Sequence, residues 1–194
     1  MIWEAWEPNP STRAKLRDEL AGTTLRYHII NDIEDIPDAS VTVAVIANVL
    51  HELTPASIGA LLSTAARKIV PTHGRVIVLE LYPLLAVEYY AVPYRSADLS
   101  DILSASGFTY DEQTYPLRGK LTTAACIVAS PARKIDREEV TQCVRRHWAI
   151  MKRRAVGAWA NKKGVRTFEE YKDVLQQMTT IASISAHDEE LWNT

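Results

Sequence analysis

Two groups of residues in this chain have the types and spacing to do chemistry. The first is Asn48-Val49-Leu50-His51-Glu52, which closes a strongly apolar run, Val41–Val49. An amide, an imidazole and a carboxylate so close together can orient a polar substrate, and the imidazole can accept a proton. The second is Arg145, Arg146, Trp148, Lys152, Arg153, Arg154, Lys162 and Lys163. Clustered guanidinium and ammonium groups neutralise phosphates, and an indole among them can stack on a base, so this set reads as a nucleic-acid surface. The other reading is an amphipathic helix docked on the body with a solvated basic rim. Such a helix could also meet an acidic membrane surface or an acidic protein.

The formal net charge of −2 conceals an asymmetry. Arg133–Arg166 holds eleven of the 22 basic residues and three acids, a net of +8 that leaves −10 for the remainder. The chain therefore divides by composition into an acidic body, residues 1–132, and a basic helical C-terminal extension, residues 133–194. No run approaches the length of a membrane span, and Met1-Ile2-Trp3-Glu4 lacks the basic-then-apolar pattern of a signal peptide. Cys126 and Cys143 belong to no CxxC pair or Cys/His cluster, so no disulfide framework or metal site is indicated, and a reducing, cytoplasmic setting is expected. His28 and His73 have no partner pattern and read as structural.

The elements that must position these residues follow from hydrophobic periodicity. A short aromatic strand ends at Trp6, and Glu7-Pro8-Asn9-Pro10 turns the chain into a helix over Thr12–Leu20, with Ser11 as its cap. Leu25–Ile30 is a strand. Val41–Val49 is the clearest buried strand, a near-continuous apolar run of the kind that a sheet covered on both faces requires. Pro55–Lys68 has helical spacing and leads through His73-Gly74 to a second buried strand, Arg75–Leu81, completing a βαβ unit. After a segment carrying Tyr82, Tyr89, Tyr90 and Tyr94, which line a pocket or cover a sheet edge, comes a helix over Ala97–Ser106, capped by Ser96 and ended by Gly107. Phe108–Leu117 and Leu121–Ser130, linked by Arg118-Gly119-Lys120, form an antiparallel hairpin. In the extension, Val140, Val144, Trp148, Met151, Ala155 and Trp159 fall on one helical face between Glu138 and Trp159. A second helix is expected from Thr167 to about Met178, with Ser183–Thr194 partly free.

Several of these segments together resemble a known family. Asn48-Val49-Leu50-His51 is similar to the N-x-L-H that ends the fourth strand of class I S-adenosylmethionine-dependent methyltransferases. Lys68-Ile69-Val70-Pro71-Thr72-His73-Gly74 resembles the K-x-x-P-x-G turn before the fifth strand, and Ala105-Ser106-Gly107-Phe108 the A-G-F before the sixth. Asp32-Ile33-Glu34-Asp35-Ile36-Pro37 looks like the acidic element after the third strand. The resemblance covers Glu7 to about Ala132 and implies a doubly wound α/β sheet with a terminal antiparallel hairpin, plus the helical extension. It implies that Glu7 holds the ribose hydroxyls of S-adenosylmethionine, that Asp32 and Ile33 meet the adenine, and that Asn48, His51 and Glu52 form the catalytic edge. In the bland reading Glu7 and Asp32 close turns, and His51 packs or bonds to backbone.

The resemblance has a located defect. The family's first strand leads into a glycine-rich loop that lets backbone approach the cofactor, yet Gly22 is the first glycine here. Strands two to seven are recognisable, and the central first strand is not among these residues. Either another chain or an upstream segment supplies it, or strands two and four close directly, or cofactor binding has been lost. The expected function is a subunit or fragment of an RNA methyltransferase that needs such a segment or partner. The alternative is a non-catalytic methyltransferase-like module for RNA binding or assembly.

Overall fold

The fold comes from a computed structural model, which describes residues 3–6, 10–24, 27–30, 32–84, 91–116, 123–161, 164 and 167–192. Its element order is β1 (Trp3–Trp6), α1 (Pro10–Ala21), β2 (Tyr27–Ile30), β3 (Val43–Ala47), α2 (Pro55–Lys68), β4 (Arg75–Tyr82), α3 (Ser96–Ala105), β5 (Phe108–Pro116), β6 (Thr123–Pro131), α4 (Arg137–Ala160) and α5 (Phe168–Trp192). The strands form two separate sheets: β1 and β2 pair in parallel, and the other four run in the order β3-β4-β6-β5. Within the larger sheet β3 and β4 are parallel, while β6 is antiparallel to both β4 and β5. The expected hairpin is therefore present, although its linking residues lie outside those described.

Alternation along the strands gives the larger sheet two unlike faces. Ile46, Val76, Val78, Ala125, Ile127 and Ala129 point to one face and join a single core with Ile58, Leu62, Leu99, Leu103, Val144, Trp148 and Met151 from α2, α3 and α4. The intervening residues Ile77, Leu79, Leu81, Cys126 and Val128 are only half-buried, and Val43 and Val45 are 43% and 46% exposed. One face is thus sealed by helices, while an apolar strip of the other meets solvent.

Local chemistry explains where the helices begin. Thr54 caps α2 by accepting from the Ser57 N–H at 3.2 Å, and Pro55 takes the first turn, where no donor is needed. Helix α1 starts at Pro10 by the same rule, so Ser11 lies inside its first turn rather than at the cap. At α3 the cap is Arg95, whose N–H donates to Asp98 at 3.0 Å, and Ser96 is the first helical residue. Gly107 follows α3 with φ +94°, a conformation that favours a residue without a Cβ.

Helix α4 begins beyond the compositional boundary at 132/133, yet it packs into the core of the body. Ile135, Val140, Val144 and Trp148 are buried in the same core as the sheet. Close approach to α2 depends on Gly59, where a Cβ would sit 2.3 Å from Thr141 Oγ1 and 2.7 Å from the Arg137 carbonyl. Helix α5 corrects a second expectation. It starts after the Thr167/Glu170 capping box, then runs on to Trp192, with Ser183, Ile184 and His187 buried rather than free.

Candidate active site and basic face

The carboxyl ends of parallel strands are where open α/β sheets bind ligands, and Asn48–Leu53 leaves β3 at that end. Asn48 is an exposed, non-glycine residue held at φ +52°, with its N–H donated to the Leu79 carbonyl at 2.7 Å. The next residues are fixed by Glu80, near the end of β4. Its Oε1 accepts from the Val49 and Leu50 N–H groups at 2.9 and 2.6 Å, and its Oε2 lies 2.7 Å from His51 Nδ1. Glu80 and His51 are only 2% and 1% exposed. A buried carboxylate costs several kcal/mol unless hydrogen bonds compensate it, and here three donors converge on it. The His51 carbonyl also accepts from the Val92 N–H at 2.7 Å, tying the loop to the segment after β4.

Asn48, His51 and Glu52 are therefore brought together, in different states. Glu52 is exposed, with Oε1 3.6 Å from His51 Nε2. His51 is interior, and its Nδ1 faces a carboxylate. Glu80 has no motif in the sequence. Its only signal is an acid inside an otherwise apolar strand, Arg75–Tyr82, where burial demands partners.

The adenine-side candidates sit apart from this cluster. Exposed Asp32 accepts from the Glu34 N–H at 2.9 Å and caps a single 3-10 turn, with Ile33 half-buried beside it. Glu34 and Asp38 then pair with Arg67, and the Lys68 ammonium donates to the Glu34 and Ile36 carbonyls. The hydrogen bond from Arg67 lowers the Glu34 pKa, and that from Lys68 lowers the Asp38 pKa. These contacts engage the C-terminal half of α2, whereas Asn48–Leu53 leads into its N-terminus. Thr64, which donates to Glu34, is ~15 Å along the axis from Thr54 at 1.5 Å per residue. Glu7, Tyr89, Tyr90, Lys162 and Lys163 lie outside the described residues. Tyr82 is half-buried, with Arg95 Nε donating to its hydroxyl at 3.3 Å.

The basic set divides by position on α4. Trp148 is buried, donating its indole N–H to the Tyr94 hydroxyl at 2.6 Å and packing against His187 with ring centroids 5.1 Å apart. Burial pushes the Tyr94 phenol pKa up, so it remains a neutral partner. Trp148 is core, and in this fold it is not presented to a base. Trp159, expected on the apolar stripe, is 47% exposed instead. It shares the outward part of α4 with Arg146, Arg153, Ile150 and Val156. Arg145 and Lys152 are half-buried.

Arg154 is drawn inward. It donates to Asp98 Oδ2 at 2.9 Å, while His147 Nε2 lies 3.1 Å from Oδ1. Burial raises the Asp98 pKa, but the hydrogen bonds from His147, Arg154 and the Arg95 backbone outweigh it and hold the carboxyl at about 2. This network pins α4 to the start of α3. Sequence alone could not pair residues so far apart.

Solved structures with the same fold are methyltransferases. The chain is similar to phosphoethanolamine N-methyltransferase 1 of Haemonchus contortus, solved with phosphoethanolamine and S-adenosylhomocysteine, with a TM-score of 0.55 and 13% identity over 83% of this chain and 42% of that one. It is also similar to an O-methyltransferase family protein from Burkholderia thailandensis, with a TM-score of 0.51 and 14% identity over 66% of this chain and 43% of the other. It thus spans less than half the length of both. No protein-family model and no curated protein matches it. The chain thus shares the fold of these methyltransferases, with its described strands in a two-stranded and a four-stranded sheet.

Proposed function

We propose that this chain is part of an S-adenosylmethionine-dependent methyltransferase acting on RNA, whose cofactor site is completed by polypeptide outside these 194 residues. The observation that carries this reading is the methyltransferase fold combined with a rigid polar loop, Asn48–Leu53, at the carboxyl end of β3. The candidate residues would form separate parts of a cofactor site. Asp32 and Ile33 would hold the adenine, Glu7 the ribose, and Asn48 the part nearest the reacting group. S-adenosylmethionine, when bound, supplies an electrophilic methyl group.

This chain's contribution is alignment. In-line displacement demands a fixed angle between nucleophile and leaving group more than it demands a base. Glu80 holds the loop through two backbone N–H groups and one imidazole, leaving Asn48 as an exposed amide on an immobilised backbone. Exposed Glu52 is the group free to take a proton from an acceptor nucleophile. The outward face of α4, with Arg146, Arg153 and Trp159, would hold the RNA backbone and stack on a base. No described helix is long and apolar enough to cross a membrane.

The burial of His51 against Glu80 favours a second reading, a non-catalytic module that binds RNA or assembles a complex, because it withdraws the one imidazole at the site. Titration calorimetry with S-adenosylmethionine on the natural assembly separates the two. Binding that Asp32→Ala abolishes, with RNA affinity intact, supports the enzyme; no binding by the assembly ends it. For RNA, Arg146→Ala with Arg153→Ala should weaken affinity and lower the salt slope by about 2. Unchanged values would refute the RNA face. Arg154 is excluded from this test because its removal also strips Asp98 of a partner.

A further inference from the structure

Helices α4 and α5 meet the carboxyl end of β4 without closing on it. Tyr82, the last residue of β4, Arg95 at the cap of α3, Met151 and Ala158 of α4, and Gln177 of α5 all line a cleft of about 330 Å³. Its walls are tied together. The Gln176 side chain accepts from the Leu84 N–H at 3.4 Å and donates to the Leu84 carbonyl at 3.2 Å, which joins α5 to the segment after β4. Pro93, in the wall, follows Val92, whose N–H is held by the His51 carbonyl, so the cleft adjoins the Asn48–Leu53 loop.

The polar groups of the cleft are of two kinds. Arg95 and Arg154 bring guanidinium groups to it; Arg95 Nε donates to the Tyr82 hydroxyl, and Arg154 Nη2 to Asp98. With His147 counted as neutral, two cations and the Asp98 carboxylate leave one positive charge, which matches a single diester phosphate. On α5, Gln177 Oε1 is enclosed and has no hydrogen-bond partner among the described residues. An enclosed acceptor left unpaired is costly, and in the wall of a cleft it is a place for the N–H of a ligand. Between these groups the lining is apolar, with Met151 and Ala155 buried and Ala158 at the exposed rim.

Size and position narrow the ligand. Ligand clefts run from about 300 to 1,000 Å³, so this one stands at the small end and suits a one-ring base better than a two-ring base. Uracil and cytosine both carry an N–H donor on the pairing edge, which is what an amide oxygen needs. Arg153 lies on the outward face of α4. At about 100° per residue, Arg154 is turned from that face toward the cleft. A strand held on Arg146 and Arg153 can therefore turn one nucleotide inward.

We infer that the cleft between α4 and α5 takes one pyrimidine nucleotide of a single-stranded RNA, with its phosphate on Arg95 and Arg154, its ring against Tyr82 and Met151, and its N–H edge on Gln177. This deepens the RNA-directed reading and rests on it, not on cofactor binding.

The test is fluorescence anisotropy of labelled uridine and adenosine heptamers with the full natural gene product. The parent should bind the uridine heptamer about tenfold more tightly. Gln177→Leu removes the amide, and Ala158→Trp fills the cleft from an exposed position. Each should erase the preference while leaving the adenosine heptamer's affinity and salt slope unchanged. A preference that survives both substitutions would overturn the inference. Equal binding of the two heptamers by the parent ends the pyrimidine site alone and leaves the RNA reading standing; binding of neither ends both. Arg146→Ala with Arg153→Ala should weaken both heptamers alike and keep their ratio. Unchanged affinities in that double variant, with the preference intact, would end the outward RNA face and sustain the cleft.

Discussion

Strands β3 and β5 bound the same sheet, and among the described residues each pairs on one side only, yet they solve different problems. β5 is soluble by itself: its acids and proline face water, and Glu112 accepts hydrogen bonds from Ser96 and Ser100 of α3. β3 is apolar on both faces and leads into the Asn48–Leu53 loop, which the buried Glu80 holds. An edge that solvent was meant to meet looks like β5. The difference teaches that one sheet can carry an edge guarded by charge and proline and another that is apolar throughout.

The sharpest way to probe that contrast is to remove the same residue type on each side. Glu80→Ala takes the carboxylate away from His51 Nδ1 and from two backbone donors, and should cost about 3–5 kcal/mol in urea unfolding. Glu112→Ala, on the exposed edge, should cost under ~1 kcal/mol. Equal costs would mean that Glu80 does not hold the loop that follows β3. Next in size is Gly59→Ala, which tests the sealed face. A Cβ there meets the Arg137 carbonyl of α4, so α4 must shift, at about 1–3 kcal/mol, with faster amide exchange at Val140 and Val144.

The pH dependence of the same face follows from Asp98. Its folded pKa of about 2 lies below the unfolded ~3.9, so its contribution is complete above the unfolded value and is lost as pH falls toward 2. Asp98→Asn should flatten acid denaturation between about pH 4 and 2 and leave the profile near neutrality parallel to that of the parent. The smallest effect is expected at the open edge. Val45→Lys in the chain alone should change stability by less than ~0.5 kcal/mol, since the side chain is already in solvent, and should raise solubility. A large loss would show that β3 is covered within this chain.

Much of the fold is legible without coordinates. Pro55–Lys68 can be bounded by its proline, its Thr54 cap and its helical spacing, and Gly107 marks the end of α3 because only a few residues tolerate its φ. The terminal hairpin follows from a glycine link between two alternating runs. What escapes is whatever depends on contacts distant in sequence. Trp148 and Trp159 share a stripe by periodicity, but α4 is longer than the core it packs on, so one indole is sealed and the other projects. Ser183–Thr194 looks partly free by composition, yet α5 runs on to Trp192 because Ile184 and His187 find cover. Among the site residues, the loop Asn48–Glu52 is visible as a polar break after an apolar strand. Glu80, which holds it, is a lone acid with no spacing rule to announce its partners.

The sequence by itself determined most of the strands and helices, and that β3 has the composition of a buried strand, because periodicity, turn chemistry and β-branching are local. Only the tertiary structure decided that, among the described residues, β1–β2 and β3 belong to separate sheets, that one face of the larger sheet is only half-buried, and that a buried Glu80–His51 pair fixes the candidate site. Pairing, burial and electrostatic partnership are relations between distant residues, and their energies exist only once the chain has brought those residues together.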